Sequence, residues 1–180
     1  MRTGFAKISV LTGMAILLVC IASIAAPGVR LKKADQYKCL PCGQDCDNTT
    51  YDKPGKCSHC NMGLVKASTI IFKTIQPSAI CNYIQKHPGV VLLDVRSKEE
   101  FEGKANPDFG SLKNAINVPV DELEKRLPTI ANLKNKEIIV YCSHSHRSPR
   151  ASYLLTRNGF TNITNMAGGM SVMKDNACKK

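Results

Sequence analysis

The stretch YCSHSHRSPR, residues Tyr141–Arg150, decides the fold because it joins a strand pattern to a helix pattern. Before it, Glu137–Cys142 is a short run rich in β-branched residues, which predicts a buried strand. After it, Ser148–Gly159 has the pattern of a helix, with Ser148 as N-cap and Pro149 at the first helical position. Cys142 is therefore expected at the end of a strand, a few residues before a helix begins.

This position suits a nucleophilic cysteine. Backbone N–H groups of a tight loop point inward ahead of a helix, and the helix dipole adds partial positive charge there. Cysteines in such fields have pKa values of roughly 3.5 to 7.5, against about 8.5 for a free thiol, and the thiolate is the reactive form. Arg147, Arg150 and, when protonated, His144 and His146 would add to the field around Cys142. The alternative is an inert cysteine that closes a core strand.

The number of residues between Cys142 and Arg147 narrows the range of reactions that the loop could catalyse. Four residues separate Cys142 from Arg147, which resembles the active loop of rhodanese sulfurtransferases, where a cysteine and a basic residue enclose four others. Related phosphatases enclose five residues, and the shorter ring suits the sulfur of a persulfide better than a phosphate. The resemblance implies that Cys142 and Arg147 are catalytic and that substrate is bound by Ser143, His144, Ser145, His146 and Ser148. The loop lacks a glycine, with Ser145 where one is often found.

Strand and helix patterns alternate from Ser68 onward. The run Gly89–Ser97 is almost continuously apolar before it ends in charge, as expected of a strand that is buried on both faces of a parallel sheet. Repeated alternation predicts an α/β fold, an open parallel sheet with helices on both faces. In such sheets the site lies at the carboxyl ends of the strands, where Cys142 is expected independently.

The rhodanese resemblance covers residues 69–176. It rests on the active loop and on three further motifs, LLDVRSKEEFEGK (Leu92–Lys104), AINVP (Ala115–Pro119) and MAGGM (Met166–Met170). It implies that Asp94 and Arg96 support the active loop and its neighbours through hydrogen bonds. The alternative for this pair is an ordinary surface ion pair worth under about 1 kcal/mol. The link of residues 104–114, KANPDFGSLKN, is longer than the usual family link and predicts a remodelled rim.

Other titratable side chains of this region are expected to be outside the chemistry. Glu99 and Glu100 are predicted to lie on a solvated helix face, and Cys81 in the core. Cys178 lies in the polar tail DNACKK, which predicts a disordered end. The alternative is a tail that folds back, so that Cys178 resolves a persulfide on Cys142.

Five of the nine cysteines fall between Cys39 and Cys60, which indicates a local cluster. Residues 37–66 contain two CxxC pairs, which predict a tetrahedral thiolate site with Cys39, Cys42, Cys57 and Cys60 as metal ligands. A unit of about thirty residues buries too little apolar surface to fold alone, so a bound ion would stabilise it. Two disulfides are the alternative, because export implies an oxidising compartment.

The same segment resembles the small heavy-metal-binding domain of bacterial metal-efflux and envelope proteins. The resemblance rests on the Tyr-x-Cys opening at Tyr37 and on the ending DKPGKCSHCNMGLV, Asp52–Val65. That family usually has a Met-His pair near its first cysteine, where this chain has Leu-Pro-Cys and an additional Cys46. Zinc is the default for four thiolates, and copper(I) is the alternative, with Cys46 or Met62 as extra soft ligands.

The amino terminus predicts an export signal. A short basic start precedes the apolar run Ile8–Ala26, and small residues around Ala25 suit cleavage of residues 1–26. The alternative is an uncleaved anchor that attaches the chain to the membrane through residues 8–26. Cys20 would suit a lipoprotein, but Val19 before it is larger than the small residue such motifs usually carry. The expected location is the cell envelope, either periplasmic or membrane-anchored and facing the periplasm.

The net charge of +11 favours anionic partners. Nucleic acid is disfavoured because the chain has no long Lys/Arg run, no Trp and no recognition motif. The sequence therefore predicts an exported sulfurtransferase that moves sulfane sulfur from thiosulfate or a persulfide donor, through a Cys142 persulfide, to a thiol or cyanide acceptor, with no cofactor for that step. The alternative is a non-catalytic metal-binding envelope protein whose rhodanese-like domain is a docking module.

Overall fold

The alternating apolar and amphipathic segments fold as a larger sheet with helices, preceded by a small sheet. The structure is a computed structural model and describes residues 34–180. Its strands are β1 (Tyr37–Lys38), β2 (Thr50–Tyr51), β3 (Val65–Lys66), β4 (Lys73–Ile75), β5 (Val91–Asp94), β6 (Ile116–Asn117), β7 (Glu137–Tyr141) and β8 (Asn162–Met166). Its α-helices are α1 (Ile80–Lys86), α2 (Lys98–Phe101), α3 (Val120–Arg126) and α4 (Arg147–Arg157).

Strands β4 to β8 form a parallel sheet of five strands in the order β4-β8-β7-β5-β6. β7 lies at the centre, and its register sets Ile139 beside Leu92 of β5 and Thr164 of β8. All five strands run the same way, so their carboxyl ends meet at one edge, where ligands bind in open α/β sheets. Cys142 follows β7 at this edge, as the sequence predicts, and Arg96 follows β5 there.

Side chains of β7 alternate between two cores because successive residues of a strand point to opposite faces. Ile138 and Val140 pack in the same core as Leu155 of α4. Ile139 packs in the other core with Ile80 of α1. Helices therefore cover both faces of the sheet, and the predicted α/β architecture is confirmed.

Two elements are shorter than their sequence patterns predict. The apolar spacing of residues 120–133 favours one helix, but the α-helix ends at Arg126, and Leu127–Leu133 continues as a 3₁₀ segment. Pro128 explains the change, because proline lacks the amide hydrogen that an α-helix needs. The strand pattern of residues 68–75, STIIFKTI, is longer than β4, which has three residues.

The helix after the active loop begins slightly earlier than predicted. α4 starts at Arg147, so Ser148 lies in its first turn. The N-cap position belongs to His146, whose side chain makes no capping hydrogen bond. The first turn of α4 is therefore part of the active loop itself.

Residues 37–66, here called the metal module, pack against the larger domain. Strands β1, β2 and β3 form a small antiparallel sheet in the order β2-β1-β3. Leu40 inserts into the core that contains α4, and the Asn165 side-chain amide donates to the Pro41 carbonyl oxygen over 3.0 Å. The buried interior of the module consists of cysteines, Cys39, Cys42, Cys46 and Cys57. Cysteine side chains thus fill the interior of the module, where a larger domain would have an apolar core.

The carboxyl-terminal tail is ordered, so the prediction of a disordered end is wrong. Cys178 forms a disulfide with Cys81. The backbone N–H of Lys113 donates to the Cys178 carbonyl oxygen over 2.9 Å, and Lys180 N–H donates to Ser111 O over 2.8 Å. Cys81 packs against the core as predicted, but the disulfide makes neither cysteine a free thiol. The tail lies along the link of residues 104–114 instead of reaching Cys142.

No helix within residues 34–180 combines the length and apolar composition that crossing a bilayer requires. The predicted export signal or anchor, residues 1–26, lies outside the described residues.

Candidate active site and metal centre

Backbone amides converge on the sulfur of Cys142. The N–H of Ser145 donates to Cys142 Sγ over 3.2 Å, and the N–H of Ser148 donates to it over 3.4 Å. The Ser148 hydroxyl oxygen lies 3.4 Å from the same sulfur. These donors sit at the amino-terminal end of α4, where the helix dipole also favours negative charge. The loop can therefore stabilise an anionic sulfur at this position.

The loop is closed in this conformation, because Cys142 is only 1% exposed. Ser143, Ser145 and Ser148 are also buried. Attack by Cys142 on a donor therefore requires the loop to open, whereas His144 on the outer side of the loop is already exposed.

Ser145 adopts a backbone conformation that favours glycine. Its φ is 60°, in the left-handed region. Its hydroxyl oxygen is buried and has no hydrogen-bond partner. The sequence places this serine where a glycine is often found in rhodanese loops, and the structure gives the physical reason for that preference.

We expect Ser145→Gly to raise the free energy of unfolding by about 1 kcal/mol, because glycine adopts positive φ without steric cost and removes the unsatisfied hydroxyl. Thermal unfolding should then shift upward by about 3 °C. Ser145→Ala is the matched control, because it removes the hydroxyl but keeps the Cβ atom, and it should gain less. A glycine variant no more stable than wild type would contradict the assignment of strain.

Arg147 forms an ion pair with Glu100, so its guanidinium is not directed at the Cys142 sulfur alone. Its guanidinium donates to the Glu100 carboxylate at 2.6 and 2.8 Å, and to Ser143 Oγ at 2.6 Å. Ser143 Oγ in turn lies 3.3 Å from Glu100 Oε1. The sequence pattern assigned Arg147 to the site but did not identify Glu100 as its partner in an ion pair.

The prediction that Glu100 lies on a solvated helix face is wrong, since Glu100 is 8% exposed. Its neighbour Glu99 is exposed, as predicted. The signal that could have located Glu100 is the spacing Ser97-x-x-Glu100, a capping box that the structure forms at the start of α2. In this box the Glu100 N–H donates to Ser97 Oγ, and the Glu100 carboxylate accepts from the Ser97 N–H as well as from Arg147.

We expect Glu100→Gln to lower the free energy of unfolding near pH 7 by about 2 kcal/mol. The ion pair with Arg147, opposed by burial, lowers the pKa of Glu100 from its ordinary value of 4.5 to about 2. A lowered pKa stabilises the fold fully above the unfolded value and loses that effect as pH falls through the folded value.

The difference between wild type and Glu100→Gln in urea unfolding should therefore fall by roughly half or more between about pH 7 and pH 3. Glu99→Gln is the control, and it should change stability little because its carboxylate is exposed. A difference for Glu100→Gln that stays constant over this range would argue against the ion pair as its cause.

The remaining predicted loop side chains form the outer surface of the site. His146 and Arg150 are exposed, as is His144. The His144 ring packs edge-on against Phe109, with ring centroids 5.4 Å apart. Phe109 belongs to the long link of residues 104–114, so this link does form part of the rim next to the active loop.

Asp94 and Arg96 are fully buried, so the surface alternative for this pair is wrong. The Arg96 guanidinium donates to Asp94 Oδ2 at 2.7 Å. The same Nη2 atom donates to Gly110 O and to Ser111 Oγ, both at 2.9 Å. The pair therefore braces the long link, which borders the active loop, and the Arg96 guanidinium also lies 5.8 Å from the ring centroid of Tyr141, the residue before Cys142.

The turn after β8 supports the active loop from the other side. Met170 N–H donates to the Cys142 carbonyl oxygen and Ser171 N–H to the Ser143 carbonyl oxygen, both over 2.9 Å. A Cβ atom at Gly169 would collide with these two carbonyl groups. Close backbone approach at Gly169 is what lets the two amides reach the loop.

The metal module brings together a group of four sulfurs that differs from the predicted one. The Sγ atoms of Cys39, Cys46, Cys57 and Cys60 lie within 4.8 Å of one another. Cys42 is outside this group and lies 3.6 Å from Cys46, so Cys46 takes the place that the sequence assigned to Cys42. All five cysteines are free thiols, which disagrees with the alternative of two disulfides.

The donor set fits a thiophilic ion. Burial raises the pKa of Cys39 and of Cys42, and it raises the pKa of Cys46 to about 11. At Cys57 burial acts in the same direction, but N–H groups of Cys60 and His59 outweigh it and lower the pKa to about 6. Four thiols gathered in a buried space are best stabilised when a cation replaces their protons, which is the chemistry of structural zinc sites.

A groove of about 1080 Å³ lies between the metal module and the active loop. The module contributes Cys60 and Met62 to its wall, and the active loop and α4 contribute His146 and Arg150. Cys60 is the one cysteine of the four-sulfur group that is not fully buried. The groove thus gives solvent and small molecules access to the outside of both sites.

Comparison with known families matches residues 82–176 to the rhodanese-like domain and residues 42–67 to the heavy metal binding domain. The chain is 30% identical over 118 residues to a tRNA uridine(34) hydroxylase of Photorhabdus laumondii subsp. laumondii, covering 59% of this chain and 32% of that protein. It is 40% identical over 78 residues to the uncharacterized protein YqhL of Bacillus subtilis, covering 43% of this chain and 56% of that protein. The chain thus spans about a third to a half of the length of these relatives.

Among solved structures, SSP1007 from Staphylococcus saprophyticus matches with a TM-score of 0.50 at 22% identity, over 61% of this chain and 100% of that chain, which shows the fold alone. A rhodanese-like domain protein from Staphylococcus aureus matches with a TM-score of 0.49 at 26% identity, over 60% of this chain and 97% of that chain. The rhodanese-like model covers more than half of the present chain. The chain therefore belongs to the rhodanese-like family, with a heavy metal binding domain ahead of its rhodanese-like domain.

Proposed function

We propose that the protein is an exported sulfurtransferase in which Cys142 carries sulfane sulfur as a persulfide. The Cys142 thiolate attacks the outer sulfur of thiosulfate or of a persulfide donor. A bond forms between Sγ and that sulfur, the bond to the leaving group breaks, and sulfite or a thiolate departs with the electron pair. The observation that carries the proposal is the pair of amides from Ser145 and Ser148 aimed at Cys142 Sγ.

The second half of the cycle returns the sulfur to an acceptor. A thiolate or cyanide attacks the outer sulfur of the persulfide, and the Cys142 thiolate leaves and is restored. The loop amides stabilise negative charge on Sγ in both halves, before the first attack and after the second. The groove beside His146 is the approach for the donor and the acceptor in this proposal. Arg150 and Arg157 lie in its wall and offset the charges of Asp121 and Glu124 there. No cofactor takes part in this step.

The metal module has a separate, structural role in this proposal. Zinc is the ion that best suits the four-sulfur group, and copper(I) is the alternative for such soft donors. The apolar run Ile8–Ala26 supports a location in the cell envelope, with the chain either released to the periplasm or anchored to the membrane and facing it.

Mass spectrometry of the purified protein tests the sulfurtransferase proposal. After incubation with thiosulfate, the intact mass should increase by one sulfur atom, sulfite should be released in equal amount, and peptide mapping should locate the sulfur on Cys142. Added cyanide should remove the extra mass and yield thiocyanate. No mass gain from thiosulfate or from a glutathione persulfide would contradict the proposal.

A second candidate function is a docking module without turnover. The observation that favours it is the closed loop, with Cys142 1% exposed and Arg147 bound to Glu100. In this case the chain would be a metal-binding envelope protein, and the rhodanese-like domain would recognise a partner. It predicts tight metal binding together with no persulfide on Cys142 from any donor.

A further inference from the structure

Cys46 belongs to two groups of metal-binding atoms at once. One is the four-sulfur group with Cys39, Cys57 and Cys60, and the other consists of Cys42, Cys46 and Asp47. In both groups the ligand atoms lie within 4.8 Å of one another. One sulfur therefore lies at the junction of two adjacent ligand sets.

The spacing of the second group fits a tetrahedral ion. Zinc–sulfur bonds of about 2.3 Å and zinc–oxygen bonds of about 2.1 Å, at tetrahedral angles, separate two sulfurs by about 3.8 Å and a sulfur from an oxygen by about 3.6 Å. Cys42 Sγ lies 3.6 Å from Cys46 Sγ and 3.4 Å from Asp47 Oδ1. Both separations are close to the values that one shared ion requires.

Two backbone N–H groups hold the Asp47 carboxylate close to Cys42. Asp47 Oδ1 accepts a hydrogen bond from Cys42 N–H over 2.9 Å, and Asp47 Oδ2 accepts one from Gly43 N–H over 2.7 Å. These bonds fold the turn so that the carboxylate faces the Cys42 sulfur. A carboxylate keeps further lone pairs for an ion while accepting these bonds. Cys42 and Cys46 are buried and Asp47 is half-buried, so water can supply a fourth ligand from the Asp47 side.

The chemistry of the donors selects the class of ion. Two thiolates and a carboxylate suit a borderline divalent ion such as zinc, whereas copper(I) prefers sulfur alone. A second divalent ion also offsets negative charge that would otherwise accumulate when five thiolates and a carboxylate are gathered together. Thiolates have several lone pairs on sulfur, which allows Cys46 to bind both ions.

We propose that the metal module holds two divalent ions of the zinc class, bridged by the Cys46 thiolate. The first ion is bound by Cys39, Cys46, Cys57 and Cys60. The second is bound by Cys42, Cys46 and Asp47, with a water molecule as the fourth ligand. Each cysteine binds as a thiolate, so its proton is released to solvent when the ion enters.

Native mass spectrometry of the reduced full chain, loaded with zinc and desalted against a weak chelator, tests the number of ions. Wild type should retain two zinc ions, and Cys42→Ser and Asp47→Asn should each retain one. Asp47→Asn keeps an oxygen that can accept from Cys42 N–H, so it separates loss of the ligand from loss of the turn. His59→Ala is the matched control, because it removes a nearby exposed imidazole, and it should retain two ions. One ion in wild type, or two ions in both Cys42→Ser and Asp47→Asn, would overturn the proposal.

Cadmium-113 NMR tests the bridge. The cadmium-loaded full chain should give two resonances that are split by coupling between the two nuclei through the shared sulfur. Cys42→Ser should give a single unsplit resonance. Two unsplit resonances from the wild-type protein would mean two independent sites and would overturn the shared Cys46 thiolate.

Discussion

Replacing Cys142 by serine is expected to reduce sulfur transfer at least about a thousandfold, because the hydroxyl of serine cannot form the persulfide that divides the reaction into two steps. The replacement keeps nearly the same shape, and the amides of Ser145 and Ser148 can still donate to the oxygen. The variant should therefore fold like wild type. Thiocyanate formation from thiosulfate and cyanide measures the effect, and circular dichroism and metal content check the fold.

The double variant Cys81→Ser/Cys178→Ser is the control for this experiment. It removes the disulfide, so it is expected to be less stable, but it keeps Cys142 and should still acquire one sulfur atom from thiosulfate. A Cys142→Ser protein that transfers sulfur as fast as wild type would eliminate the persulfide mechanism. Equal inactivity of wild type and Cys142→Ser, with metal bound in both, would instead favour the docking module.

The pattern of apolar residues along the chain was sufficient to predict the parallel sheet and the position of Cys142. A run such as Val91–Asp94 is apolar because both faces of the strand are covered, and this pattern is local in the sequence. The position of Cys142 at the end of β7 followed from the change between strand and helix patterns. Both inferences depend on residues that are neighbours along the chain.

Features that depend on distant residues could not be predicted in the same way. Glu100 and Arg147 are 47 residues apart, and the charge pattern around Glu100 suits an exposed helix face equally well. The Cys81–Cys178 disulfide spans 97 residues, and nothing in the polar tail indicates where it will pack. Cys46 lies outside both CxxC pairs, so spacing alone favoured Cys42 in the four-sulfur group.

The metal module and the active loop are connected by packing through one turn. The carbonyl of Pro41 accepts a hydrogen bond from Asn165, which lies at the end of β8. Gly43 lies close to the turn that follows β8, because a Cβ atom added to Gly43 would come within 3.1 Å of the Gly168 backbone nitrogen. That turn supplies the N–H of Met170 to the Cys142 carbonyl oxygen. A change in the order of the module can therefore reach the active loop through this turn.

Removal of the metal is accordingly expected to disorder residues 37–66 and to lower the thermal unfolding temperature of the rest by about 10 °C. Structural zinc supplies about 10 to 16 kcal/mol to comparable small modules, which have no apolar core of their own. Release of the module exposes Leu40 and breaks the Asn165 hydrogen bond, a combined loss of about 3 kcal/mol for the larger domain. In a domain of this size each kcal/mol shifts the unfolding temperature by roughly 3 to 5 °C.

Hydrogen exchange and calorimetry on the chelated full chain measure these effects, and Cys57→Ser should reproduce them without a chelator. Residues 37–66 should lose amide protection first, and the segment around Gly168 should lose part of its protection because Gly43 packs on it.

Sulfur transfer should fall several-fold, since the amides of Met170 and Ser171 then support the active loop less firmly. His59→Ala should change none of these quantities, because its imidazole is exposed. If the module stayed protected without metal, its stability would have to come from packing against the larger domain and not from the thiolate site.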